Sequence, residues 1–209
     1  MITDNPLLHE IRKYPCRCQF GPPRQYGCPL CARESYLDDH MWMLRKHLQS
    51  RYAWAIPNEE ALTAIAALSP LVEIGAGTGY WAALLAARGA DVVAYDKRPG
   101  RNNWCNADPY HPIRFGSWES VTQHPDRTLF LCWPPMSHMA ASALRAYRLV
   151  GGQQIAYIGE YDGGCCATDR FFQMLHLGWT QIAQHAIPQW WGLHDVLSIW
   201  QRRSHTSTL

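Results

Sequence analysis

An α/β fold, with helices on both faces of a mostly parallel seven-stranded sheet, is what this sequence predicts. Three observations predict it. Strand-length apolar runs alternate with stretches of helical period from residue 58 onward; the first strand runs straight into a glycine-rich turn that opens a helix; and the next strand ends in an acidic residue. At 209 residues and 47% hydrophobic content, the chain is long enough for one α/β core with a modest extension, and two independent domains are not expected.

Residues 1 to about 32 hold Pro6, Pro15, Pro22, Pro23 and Pro29 together with four cysteines, a composition that resists regular structure. Cys16-x-Cys18 and Cys28-x-x-Cys31 put four thiols within sixteen positions, which suits a tetrahedral structural zinc; the alternative is free thiols packed against the core. From Glu34 to about Ser50, Leu37, Met41, Leu44 and Leu48 recur at spacings of three and four, the stripe of an amphipathic helix. Residues 1–57 are therefore read as a Cys-rich and helical cap on a domain spanning 58–209.

That domain opens with a helix N-capped by Asn58, with Glu59 and Glu60 at its positive end and Ser69-Pro70 as its stop. Residues 71–75 (LVEIG) read as a buried strand, 80–88 as a helix ended by Gly89, and 91–96 (DVVAYD) as the next strand. Weaker strands follow at 113–115, 129–132, 154–158, 181–187 and 196–200, with helices at 138–148 and 169–177. The alternation ends in two consecutive strands. No internal repeat is present.

Lysine plus arginine number 19 against 17 acidic residues, and the basic residues are scattered, so a nucleic-acid partner is not expected. Asp4, Pro6, His9 and Glu10 interrupt the apolar run a signal peptide needs, and no later run is long enough to span a bilayer; the expectation is a soluble, cytoplasmic protein without a membrane partner. In that reducing setting eight cysteines favour thiols or metal ligands over disulfides. Ten tryptophans and ten tyrosines fit an aromatic pocket, an interface or the core.

The informative stretch is Glu73-Ile74-Gly75-Ala76-Gly77-Thr78-Gly79 between strand and helix. Glycines there let the backbone turn sharply and approach a ligand, while the helix N-terminus offers unpaired N–H groups. Asp96 ends the next strand 21 positions beyond Gly75, where a carboxylate accepts hydrogen bonds from both hydroxyls of a ribose. A dinucleotide loop wants its third glycine where Tyr80 stands, whose ring would obstruct a pyrophosphate. The alternatives are a nicotinamide or flavin dinucleotide, or a glycine turn without a cofactor.

This E-x-G-x-G-x-G loop, with its Asp on the second strand, resembles the first two motifs of class I S-adenosylmethionine-dependent methyltransferases, a Rossmann-like family. The resemblance implies that Glu73, Gly75 and Gly77 shape the pocket for the methionine end of the cofactor, with Ala76, Gly79 and Tyr80 in the same turn. Asp96 would hold the ribose and Lys97 would flank the adenine. Ser117 stands where the family usually has an acidic residue, and Trp118 either stacks on adenine or belongs to the core. Cys132, at the end of a later strand, completes the expected cofactor contacts.

Residues 133–136 read Trp-Pro-Pro-Met where an amine-methylating branch of the family has Asn or Asp, two prolines and an aromatic. An indole donates but does not accept, which argues against the same amine recognition and leaves Trp133 as a pocket wall or a packed strand terminator. His138 and Glu160, with Asp162 beside the latter, are the candidate bases, Glu160 first among them. The 187–195 loop and Trp54 are further candidates for aromatic walls. The expected activity is methyl transfer to oxygen or nitrogen of a small molecule. The alternatives are a protein or RNA methyltransferase docking through the cysteine segment, and a non-catalytic cofactor-binding partner.

Overall fold

The computed structural model describes residues 4–13, 39–161, 163–190 and 192–203. The four candidate zinc ligands, Cys16, Cys18, Cys28 and Cys31, lie outside them, as do Asp162 and Trp191. Among the described residues no group of three or more His, Cys, Asp or Glu is placed to hold a metal, and no helix is long and apolar enough to cross a membrane.

Helix α1 (Pro6–Arg12) starts with proline in its first turn, and the Asn5 side chain accepts from the Leu8 N–H. Helix α2 (Asp39–Arg51) occupies most of the stretch read as helical, and α3 (Glu59–Ala66) begins as expected, with Asn58 Oδ1 accepting from the Ala61 N–H at 2.9 Å. The alternating part follows as β1 (Leu71–Ile74), α4 (Tyr80–Ala86), β2 (Val92–Asp96), β3 (Ile113–Phe115), a 3₁₀ helix (Trp118–Gln123), β4 (Thr128–Cys132), α5 (Met139–Leu149), β5 (Gln154–Gly159), α6 (Asp169–Gly178), β6 (Trp179–Ala186) and β7 (Val196–Arg202).

The sheet has seven strands in the order β3-β2-β1-β4-β5-β7-β6. Its first five positions, all parallel, follow the 3-2-1-4-5 order of a Rossmann-like sheet. The last strand inserts antiparallel between β5 and β6. Strand residues alternate between two cores: Leu71 packs with Leu62, Trp81 and Leu84 on one face, while Val72 and Ile74 meet Leu144 and Phe171 on the other. Leu7, Leu8 and Ile11 of α1 and Leu48 of α2 join the first of these. The strand reversal at β1 to β4 opens a crevice at their carboxyl ends, where doubly wound sheets bind ligands.

One contact away from that crevice limits what the fold tolerates. The buried Tyr147 hydroxyl is held by the Arg127 carbonyl at 2.8 Å and by the Gln153 and Gln154 N–H groups, so its ring cannot withdraw. A Cβ on Gly152 would lie 2.3 Å from that ring. Gly152→Ala is expected to cost about 2 kcal/mol or more, read as a lower urea midpoint at unchanged m-value.

Candidate active site

The glycine loop leaves β1 with Gly75, Gly77 and Gly79 all at positive φ, of 81°, 58° and 70°. This conformation is costly for residues bearing a Cβ, which is why three glycines stand here. The Gly75 and Ala76 N–H groups both donate to the Tyr95 carbonyl, fixing the turn to β2. At Gly77 the loop is open: an added Cβ would meet only Cys105 Sγ, at 3.7 Å. Gly79 serves packing instead, because a Cβ there would press on Ile113 and His111 at 3.1–3.2 Å.

Asp96 sits beside this loop and is nearly buried. Its Oδ2 accepts from the Gly77 N–H at 2.9 Å and its Oδ1 from the Arg98 N–H at 2.7 Å. Both bonds aim the carboxylate, and each oxygen keeps a lone pair for a further donor. Glu73 on β1 is 2% exposed, and its Oε2 has no hydrogen-bond partner. Burial, reinforced by the Asp96 charge, pushes its carboxyl up to about 8.

One cavity of about 840 Å³ gathers these groups. Of the residues expected to bind cofactor, Glu73, Gly75, Ala76, Gly77 and Tyr80 line it at the loop. Asp96, Lys97, Ser117 and Trp118 line it beyond β2 and β3, and Cys132 at the end of β4. Gly79 alone of that set does not. The Ser117 hydroxyl is buried without a partner inside the same wall. Tyr80 turns its ring to the cavity while its hydroxyl donates to Asn5 Oδ1 at 2.9 Å and accepts from the Leu7 N–H, tying α1 to the site. The Cys132 thiol is pushed well above its ordinary range by burial and then by Glu73, so it stays neutral.

At the end of β4, Trp133 holds a φ of 51°, rare for a bulky residue. Its indole N–H donates to Asp195 Oδ2 at 2.9 Å, so it presents only ring surface to the cavity. Trp54 lies against it with ring centroids 4.8 Å apart, and Trp104 meets Trp54 edge-on at 5.6 Å and accepts its indole N–H at the carbonyl, 3.0 Å away. Three indoles from three segments thus make one continuous wall. Asp195 is fully buried, its Oδ1 has no partner, and burial pushes its carboxyl up to about 7 against the pull of the Trp133 hydrogen bond.

His138 lines the cavity at the start of α5. Glu160, expected first as a base, is not among the lining residues. Its carboxylate accepts from the Cys165 N–H at 2.8 Å and the His194 N–H at 3.0 Å, pinning the loop after β5 to the loop before β7. The structure also brings in residues the sequence did not single out, among them Arg45 and Gln49 of α2, Thr78, and Trp104. The Thr78 hydroxyl donates to the Tyr52 carbonyl, which fastens the end of α2 over the glycine loop.

No protein-family model matches the chain, and no curated protein matches it. Among solved structures it is similar to a Pyrococcus abyssi tRNA (uracil-54, C5)-methyltransferase in complex with S-adenosyl-L-homocysteine, at 14% identity and a TM-score of 0.46, over 69% of this chain and only 37% of that one. It is also similar to a Burkholderia thailandensis 1,6-didemethyltoxoflavin-N1-methyltransferase, at 15% identity and a TM-score of 0.44, over 87% and 93% of the two chains. A magnesium protoporphyrin IX methyltransferase from Synechocystis, with bound SAM, overlaps 90% of this chain and 89% of its own at 13% identity and a TM-score of 0.44. By its own strand order and glycine loop, the chain resembles in fold the class I S-adenosylmethionine-dependent methyltransferases.

Proposed function

We propose that the protein is an S-adenosylmethionine-dependent methyltransferase whose acceptor is a small molecule, methylated at oxygen or nitrogen. The observation that carries this reading is the joining, in one cavity, of an open glycine loop, an aimed Asp96 and an unpartnered Glu73 with a three-indole wall at the end of β4. The residues fit the cofactor: Glu73 Oε2 lacks a partner that a cationic group supplies, Asp96 has lone pairs for two ribose hydroxyls, and Ser117 Oγ is an unpaired group at the nucleobase end.

When bound, the cofactor supplies a methyl on a sulfonium: the acceptor lone pair bonds to the methyl carbon as the carbon–sulfur bond breaks, leaving S-adenosylhomocysteine. The protein has to align the two partners and keep water out. Trp54, Trp104 and Trp133 offer a planar or apolar acceptor a rigid face, and of the expected bases among the described residues His138 is the one that lines the cavity. Glu160 acts at one remove, by tying the loop after β5 to the loop that carries Trp133's partner Asp195. Residues 1–57 are proposed to cap the domain of 58–209, with a zinc on Cys16, Cys18, Cys28 and Cys31 that elemental analysis of the full chain tests.

Methyl-labelled S-adenosylmethionine incubated with the protein and a size-fractionated extract is expected to label the small-molecule fraction. Label appearing only in RNA or protein would favour the macromolecular reading. Cofactor binding without any transfer would favour a non-catalytic partner. A rise in melting temperature with NAD and none with S-adenosylhomocysteine would replace this reading with a dehydrogenase.

A further inference from the structure

The three-indole wall is fixed by contacts within the protein. The indole N–H of Trp54 goes to the Trp104 carbonyl at 3.0 Å and that of Trp133 to Asp195 Oδ2 at 2.9 Å, so neither ring has a donor left for a ligand. The Trp104 backbone N–H donates to Asn102 Oδ1 at 2.8 Å, and the Trp54 carbonyl accepts the Trp190 indole N–H. Rings ordered in this way before a ligand arrives lower what its binding costs. Yet Trp104 is 53% exposed, and Met136, on the same cavity, is 67% exposed. Large apolar groups left open beside a cavity mark a surface that a ligand covers.

What covers it follows from what the wall lacks. Among the described residues the carboxyls lining the cavity are Glu73 and Asp96, both at the glycine loop and both taken up by the cofactor in the reading above. Asp195 is fully buried and does not line the cavity, and Glu160 is turned to loop N–H groups. An ammonium ligand, which indole faces also attract, would find no counter-charge at this wall. Ring surface without free hydrogen-bonding groups on Trp54 and Trp133 selects instead for a flat, neutral π system. His138 narrows the reacting atom. It lines the cavity and is exposed, so a proton it takes passes on to solvent. A phenolic hydroxyl, ionising near about 10, is within reach of an imidazole base; an aliphatic one, close to the ~15.7 of water, is not.

We propose that the acceptor is a planar aromatic compound carrying a ring hydroxyl, stacked on the indole wall with that hydroxyl toward His138; this rests on the cofactor reading above. The hydroxyl oxygen forms a bond to the methyl carbon as the carbon–sulfur bond breaks and its electron pair stays on sulfur. The hydroxyl proton goes to the His138 imidazole, and the product is an aryl methyl ether.

Calorimetry on the full chain loaded with S-adenosylhomocysteine compares 2-naphthol with decahydro-2-naphthol, which keeps the carbon skeleton and the hydroxyl but has no ring plane, and with choline. 2-Naphthol is expected to bind about 10-fold more tightly than either. Trp104→Ala, at the most exposed of the three rings, should weaken 2-naphthol about 10-fold and leave S-adenosylhomocysteine within about threefold, which also shows that the variant is folded; Trp104→Phe should restore most of the loss. With methyl-labelled S-adenosylmethionine, label should appear in 2-methoxynaphthalene, and His138→Ala should slow this about 100-fold at unchanged 2-naphthol affinity. If S-adenosylhomocysteine binds but 2-naphthol does not, or binds no better than its decahydro form or choline, the inference is overturned and the cofactor reading stands. A parallel loss of both ligands in Trp104→Ala does the same, since it puts that ring in the cofactor's own pocket. So does 2-naphthol that binds without being methylated, or that is methylated as fast by His138→Ala. A wild-type protein that binds no S-adenosylhomocysteine overturns both readings.

Discussion

Replacing Asp96 by alanine is expected to lower the affinity for S-adenosylhomocysteine at least about 100-fold, or roughly 2.7 kcal/mol. The effect has two sources. A carboxylate accepting two ribose hydroxyls loses both bonds at once, and hydrogen bonds to a charged group contribute about 1.5–3 kcal/mol each. In addition, the Gly77 and Arg98 N–H groups lose their acceptor, so the glycine loop loses its tie to β2 at Gly77, where the ligand passes. Asparagine does not rescue this. One of its two side-chain polar atoms is an NH2, and both backbone groups now facing Asp96 are donors, so one N–H must oppose it. Calorimetry on wild type, Asp96→Ala and Asp96→Asn checks the order. An alanine variant that binds as tightly as wild type would remove the ribose assignment.

The sheet and the glycine loop were legible because they rest on local chemistry. The 71–75 and 91–96 runs have strand length and composition, Asn58 caps its own third residue onward, and a positive φ at three alternate positions demands glycine. Two consecutive strands at the end were also legible, but the insertion of β7 between β5 and β6 was not, since period says nothing of neighbours. The site's remaining residues owe their roles to distant partners. Trp133 is explained by Asp195, 62 positions later, and Trp104 by Trp54, 50 positions earlier. Gln49 hid beside the apolar stripe ending in Leu48. For Glu160, proximity to a strand end pointed at the crevice, yet the carboxylate turns to loop N–H groups instead. Strand ends locate loops; they do not aim side chains.

The burial of Glu73 gives the ligand-free protein a pH-dependent stability whose sign follows from its raised pKa. Its carboxyl ionises near 4.5 when unfolded but keeps its proton to about 8 when folded. Between those values the native state holds more protons, so stability falls as pH rises and levels off beyond the folded pKa. Asp195 contributes with the same sign, from 3.8 to about 7. Between pH 7 and 8 Glu73 is left as the main source, and the melting temperature is expected to drop by roughly 2–4 °C there. Glu73→Gln, neutral at every pH, should flatten that part of the profile. A ligand whose ammonium faces Glu73 draws the proton off it. S-adenosylhomocysteine binding at pH 7 should therefore release protons, seen as apparent enthalpies that differ between buffers of different ionisation heat. In Glu73→Gln the buffer dependence should vanish. A wild-type melting temperature constant across pH 7 to 8, or a slope that survives in Glu73→Gln, would mean that Glu73 is already ionised in the folded protein. The cation it awaits would then have to be sought in the chain itself.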